Sequence, residues 1–276
     1  MNLKRLHLFL YFLLVSTSVF ALENMVVIAT LTDFPPNCFK KAGAVEKIEE
    51  ILPPGTDSSQ LQGFSWDVVR ESYHERGYTI RLFVAPWSRG LHHLKTGKVQ
   101  LIFPAVKTKE REKEFYYSRE SVDQTNILIY IKTENSHLLN NFKWLAGKRI
   151  ATVRGWSYGK KWEAIRHVRK DPASTLMQGF YMLDSDRVFG VIGYEDSFDY
   201  RLKKELVFHK YKKSLIIEPV ADYLIGRKTA TARKQISEFD KGKKILMQNG
   251  TMKRIYTKWA SSGIIMPVIK NKGDNE

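Results

Sequence analysis

Between residues 25 and 103 the chain alternates strand-like and helix-like segments at a spacing that few folds accommodate. Met25 to Leu31 (MVVIATL) is a β-branched apolar run closed by the turn-forming Asp33-Phe34-Pro35-Pro36. Ser65-Trp66-Asp67-Val68-Val69 opens a helix with Ser65 as its cap, Trp66, Val69 and Tyr73 on one face, and Gly77 as its stop. Tyr78, Ile80, Leu82 and Val84 then alternate with other residues as a strand. A second helix follows Pro86, with Leu91 and Leu94 inward and Gly97 at its end, and Val99 to Phe103 is the next strand. Strand, helix, strand, helix, strand at this interval predicts a parallel sheet covered by helices, an α/β architecture.

The pattern restarts downstream. Lys148 to Val153 (KRIATV) reads as a strand, Gly155 to Gly159 (GWSYG) as a turn into a helix running to about Lys170, and Arg187 to Gly193 as another strand. Helices near Thr229 to Gln248 and Met252 to Trp259 follow, and the tail SSGIIMPVIKNKGDNE carries little signal. Residues 40–62 mix a short helical pattern with a Pro-Pro-Gly-Thr-Asp turn and read as a mobile surface excursion. Two α/β blocks in one chain predict a ligand cleft between them.

The N-terminus is set apart from the fold. Lys4 and Arg5 precede an apolar run from Leu6 to Val15, followed by Val19-Phe20-Ala21, the layout of a secretory signal peptide cleaved after Ala21. Removing residues 1–21 takes away two cations, Lys4 and Arg5, and lowers the formal charge from +16 to +14. The exported product would be strongly basic. Its lone cysteine, Cys38, cannot form an internal disulfide, so the fold must rest on a core that 43% apolar residues can supply. The cations are dispersed rather than striped with aromatics, which argues against nucleic acid as a partner. They suit weak attraction to anionic envelope surfaces, or a positive cleft that draws in an anionic solute.

The order of these pieces carries a resemblance. A strand followed by DFPP, then GFSWDVV, PWSRGLHHLKTGKVQLIFPA, TKEREKEFYYS and finally NGTMKRIYTKW is similar to the family 3 solute-binding proteins of bacterial amino-acid uptake systems. The match spans about residues 25–260. It implies a two-lobed periplasmic binding protein fold of type II, each lobe a sheet flanked by helices, joined by a two-strand hinge. The first lobe would be discontinuous, residues 22–120 plus 220–260, the second 125–217, with 261–276 as a C-terminal tail. A monomer closing on a small carboxylate-bearing solute, and an inner-membrane permease or receptor as partner, are further implications; no cofactor is implied.

Within TKEREKEFYYS two readings compete. As charge patterning, Thr108 caps a short exposed helix with Glu110 and Glu112 at the favourable end of its dipole. The resemblance instead makes Arg111 the anchor for a ligand carboxylate, with Thr108 assisting; a planar guanidinium suits that task through two parallel charge-assisted bonds. From the other lobe, Ser157 and Trp156 in GWSYG either contact the ligand or serve the helix start, where free N–H groups attract anions. Phe34 and Trp87 stand where the family places aromatics against the solute, though aromatics equally build cores. Arg89 is either a second anion contact or a surface cation.

Two departures stand out. The acid that usually pairs with the ligand's ammonium is replaced by Tyr194, followed by Glu195 and Asp196, and the polar residues usual before the T-x-x-R motif are Pro104, Ala105 and Val106. The amine end of the pocket therefore falls to a shifted Glu195 or to the Tyr194 hydroxyl, and a standard α-amino acid is not assured. Adjacent His92 and His93 have no metal-ligand spacing, and no nucleophile triad or phosphate loop occurs, so the expectation is a binding protein rather than an enzyme. Three roles stay open: transporter component, periplasmic sensor partner without its own permease, and a lyase resembling cyclohexadienyl dehydratase that would use Glu195 as its acid.

Overall fold

The computed structural model describes residues 24–138 and 141–261. The expected signal segment 1–21, and the expected tail beyond Ser261, lie outside the described residues. The chain opens with β1 (Met25–Thr30), β2 (Asp33–Phe34), β3 (Cys38–Lys40), β4 (Ile48–Leu52) and β5 (Leu61–Gln62). It continues with α1 (Phe64–Glu75), β6 (Thr79–Val84), α2 (Trp87–Thr96), β7 (Leu101–Val106) and the short α3 (Lys109–Glu114). The long β8 (Phe115–Lys132) leads to β9 (Arg149–Val153), α4 (Gly159–Ala164), β10 (Arg169–Ala173), α5 (Leu176–Asp184), β11 (Gly190–Tyr194) and α6 (Glu195–Lys204). Strands β12 (Tyr211–Lys213) and β13 (Glu218–Arg227) bring the chain back to α7 (Ala230–Gln248) and α8 (Thr251–Ser261).

The large sheet runs β10-β9-β11-β8-β13-β7-β1-β6-β4, with β12 on β8. Each half has a parallel heart: β1 pairs with β6 and β7, and β9 pairs with β10 and β11. Antiparallel β8 and β13 join the halves. β8 is 18 residues long; Phe115 to Ile127 pair with β13, and Ile127 to Tyr130 pair with β11. The register between β8 and β13 slips around Asp222 and Tyr223, as strands do where a ladder bends.

The apolar cores divide accordingly. One, built on Val26, Ile28, Trp66, Tyr73, Leu101, Leu224, Phe239 and Trp259, joins the early strands to α1, α7 and α8. Two others pack Ile127, Ile129, Ile150, Ile192, Phe180 and Phe198 around the second half. Phe34, Cys38 and Val106 from the first half pack with Ile127, Trp162 and Tyr194 of the second, so the halves touch along a shared apolar seam.

Four local expectations are corrected. Residues 40–62 hold no helix: β4 pairs antiparallel with β6 at the sheet edge, and β5 pairs with β3. IEEIL mimics helical spacing, but Ile48 and Leu52 turn inward with half-buried Glu50 between them, while Ile51 is exposed, a period of two. Glu50 then ties down the following loop by accepting from Ser58 and from the N–H and hydroxyl of Ser59. Ser65 is not the cap of α1: Gly63 takes that position at φ 144°, where a Cβ would strike the Asn37 carbonyl, and the Ser65 hydroxyl donates to Asp123. The helix after GWSYG stops at Ala164, six residues short of the expected Lys170, which lies instead in the strand that starts at Arg169. Its N-cap is Tyr158 without a side-chain bond, so Ser157 does not cap it.

Candidate functional site

The floor of the cleft is built by α3. The Thr108 hydroxyl accepts the Arg111 N–H at 3.1 Å, and the helix ends after a turn and a half because Phe115 begins β8. Glu110, Glu112 and Lys113 face solvent, as the charge pattern implies. Arg111 is different: Nη1 donates to the Val106 carbonyl at 3.2 Å, and the guanidinium carbon lies 5.1 Å from the Trp87 ring centre. Among the described residues no carboxylate makes an ion pair with it.

The opposite wall is the turn after β9. Gly155 adopts φ 79°, the left-handed conformation that a side chain disfavours, and the Trp156 N–H closes the turn on the Val153 carbonyl. Two tyrosines fix this turn: the Tyr158 hydroxyl accepts the Val153 N–H at 2.6 Å, and the Tyr194 hydroxyl donates to the Ser157 carbonyl at 2.6 Å. Phe34, Trp156 and Tyr194 meet edge to face with ring centres 5.4 to 5.5 Å apart, closing one side across both halves.

Arg111, Trp87, Phe34, Trp156, Ser157, Tyr194 and Asp222 border one inner chamber of about 30 Å³. That is room for about two waters. An outer chamber of about 540 Å³ shares Leu31, Trp87, Gly155 and Trp156 with it and adds Arg154, Thr175, Asp33 and Arg201. Asp33 and Arg201 form a 3.4 Å ion pair that bridges the two halves at the mouth. Exposed as it is, that pair is a weak latch.

Six of the nine expected site residues therefore meet at the inner chamber. Thr108 serves α3 and does not line it. Arg89 is exposed on α2 outside both chambers. Glu195 does not take the vacated acid position: its carboxylate accepts from Lys213 at 2.7 Å and Asn126 at 2.8 Å, facing away on the β12 side. The Tyr194 hydroxyl is committed to Ser157, and burial holds the phenol well above its ordinary range, so it is a neutral donor.

Asp222 was missed. It is an acid in the apolar run of β13, 3% exposed, and that lone carboxylate in a buried strand is the signal that could have found it. Across the ladder its register partner is Asp123 on β8, 1% exposed. Burial first, then mutual repulsion, pushes Asp222 well above the carboxylate range, while Arg111 pulls it down. Burial also raises Asp123, against the hydrogen bond from Ser65. Two facing buried carboxylates share a proton rather than both ionise.

A model of the bacterial extracellular solute-binding proteins, family 3, matches residues 50–262, and the chain belongs to that family. It is 22% identical over 246 residues to the L-cystine-binding protein TcyJ of Bacillus subtilis (strain 168), covering 85% of this chain and 83% of that protein. Among solved structures it is similar to an ABC uptake transporter substrate-binding protein from Streptococcus pneumoniae with bound histidine, at TM-score 0.70 and 18% identity, covering 88% and 94% of the two chains. A histidine kinase sensor domain resembling periplasmic binding proteins superposes at TM-score 0.72 and 15% identity, covering 88% and 98%. The fold is thus that of the type II periplasmic binding proteins.

Proposed function

We infer that the protein is a periplasmic binding component that captures a small carboxylate-bearing solute, an amino acid or a close relative, and delivers it to an inner-membrane ABC permease. The observation that carries this reading is Arg111: a guanidinium laid against Trp87 in the cleft, without a carboxylate ion pair among the described residues. Burying such a charge is costly unless an anion completes it. A solute carboxylate forked on Arg111 would meet the Ser157 hydroxyl from the other half, so each half contributes to its grip and binding favours closure. The lobes take the bounds 22–120 plus 220–260 and 125–217, and hinge about β8 and β13. L-cystine and histidine, named for relatives, are compatible with an inner chamber that opens toward a larger outer one.

The test is a thermal-shift screen of the purified protein against amino acids, L-cystine, dicarboxylates and small peptides. A solute that binds only the folded form raises the melting temperature, by about 2.7 kcal/mol of stabilisation at a hundredfold excess over Kd. A carboxylate hit supports the reading; stabilisation by neutral sugars alone contradicts it.

A further inference from the structure

The family's usual acid for the ligand's ammonium is replaced by Tyr194, whose hydroxyl is spent on Ser157, and Glu195 is held by Lys213 outside the chamber. Yet the chamber that holds Arg111 is bordered by a carboxylate from a different element, Asp222 of β13. Its Oδ2 is buried and makes no hydrogen bond to a donor, and neither does Oδ1 of Asp123 opposite. No other donor among the described residues reaches these two atoms: the carboxyls face each other where the two halves join, and Asp222 also borders the ligand chamber. We propose that Asp222 receives the cationic nitrogen of the bound solute, so that the protein selects a zwitterion gripped by Arg111 at its carboxylate and by the hinge at its amine. This rests on the solute reading given above for Arg111.

The chemistry fixes a second consequence. Without solute, the Asp123–Asp222 pair shares one proton, because two buried carboxylates in register cannot both carry charge. An arriving ammonium brings the positive charge that the proton supplied. The ammonium keeps its own protons and donates hydrogen bonds to Asp222, and the shared proton leaves to solvent. The groups facing the pair are consistent with this exchange. Arg111 on α3 and Lys243 on α7 are the cations that act on it, Asp196 on α6 is the third acid, and Tyr194 of β11 and Cys38 of β3 are neutral neighbours. Arg111 is reserved for the carboxylate, and Lys243 donates to the Ser121 carbonyl, so neither replaces the proton. Binding at the hinge strand also places the amine where β8 and β13 flex, so that the solute itself reports closure.

The experiment is calorimetry of the wild-type protein with L-cystine, the standard L-amino acids and the des-amino acid of each hit, in two buffers of different ionisation enthalpy at the same pH. Expected is release of about one proton per amino acid bound, and affinity for the des-amino acid weaker by about tenfold or more, in line with the loss of one charged hydrogen-bonded contact. Asp222→Asn should abolish proton release and the preference for the amine while leaving the des-amino acid bound. Buffer-independent heats, or an undiminished amine preference in Asp222→Asn, would overturn the assignment. The buffer comparison needs no variant, so it decides even if Asp222→Asn does not fold. If no carboxylate of any kind binds the wild type, the solute reading itself fails; if carboxylates bind with Arg111 but indifferently to the amine, only Asp222 loses its role.

Discussion

The Asp67 carboxylate accepts the Trp259 indole N–H at 2.8 Å across 192 residues of sequence. The same oxygen accepts from Lys258 at 2.7 Å, and the other from Arg70 at 3.0 Å, while Asp67 itself is 2% exposed. The motifs GFSWDVV and NGTMKRIYTKW are thus two sides of one polar clamp that docks α8 on α1. Asp67→Ala removes the buried acceptor that the Trp259 indole, Lys258 and Arg70 share, while Asp57 and Glu71 still pair with Arg70, and should cost about 1–3 kcal/mol. Urea unfolding with unchanged m-value checks it; a loss below about 1 kcal/mol would contradict the clamp.

Gly242 lies where α7 crosses α1. A Cβ there would come within 1.9 Å of the Ser72 carbonyl oxygen, which is backbone and cannot swing aside. Gly242→Ala is therefore expected to push the helices apart and to destabilise by about 1–3 kcal/mol or more, despite alanine's better helix propensity. On an exposed helix the same change would stabilise, so the sign of the shift in melting temperature is the measurement.

Stability should fall as pH rises from about 4 to about 8. Burial pushes the Asp196 carboxyl up to about 8 from an ordinary 3.8, with Asp123, Glu195 and Asp199 adding repulsion. Between those values the folded chain binds a proton that the unfolded chain does not, so the contribution is whole below the unfolded value and is lost through the folded one. Asp123 and Asp222 act in the same direction. Asp196→Asn should flatten part of the slope in melting temperature between pH 5 and pH 8; an unchanged slope would show that Asp196 does not contribute it.

Cys38 is fully buried on β3, and burial pushes its thiol up to about 12. Since the thiolate is the reactive form, a thiol reagent at pH 8 should label the folded protein slowly and the urea-unfolded protein at once. Equal rates would mean that the seam between the halves opens freely.

Much of this was legible in the sequence, and the losses have physical causes. The β-α-β spacing of residues 25–103 marks the parallel half because strands buried on both faces read as apolar runs. β8 is less legible: FYYSRESVDQTNILIYIK changes character midway, because its first part pairs with β13 and its second, buried part pairs with β11. Residues 40–62 show a short helical pattern because five residues such as IEEIL cannot separate a period of 3.6 from one of two. Motif order singled out Phe34, Trp87 and Arg111, and the turn before a helix singled out Ser157; all four border the inner chamber. Asp222 escaped because its meaning lies in its register with Asp123, a pairing that 98 intervening positions conceal.

Titration calorimetry of the thermal-shift hit against wild type, Arg111→Lys and Arg111→Ala tests the central role of Arg111 most directly. The expected result is binding by wild type, a loss of about a hundredfold or more in Arg111→Ala, consistent with removing one partner of a buried charge pair, and only partial rescue by lysine, which lacks the planar fork. Equal affinity in wild type and Arg111→Ala would contradict it.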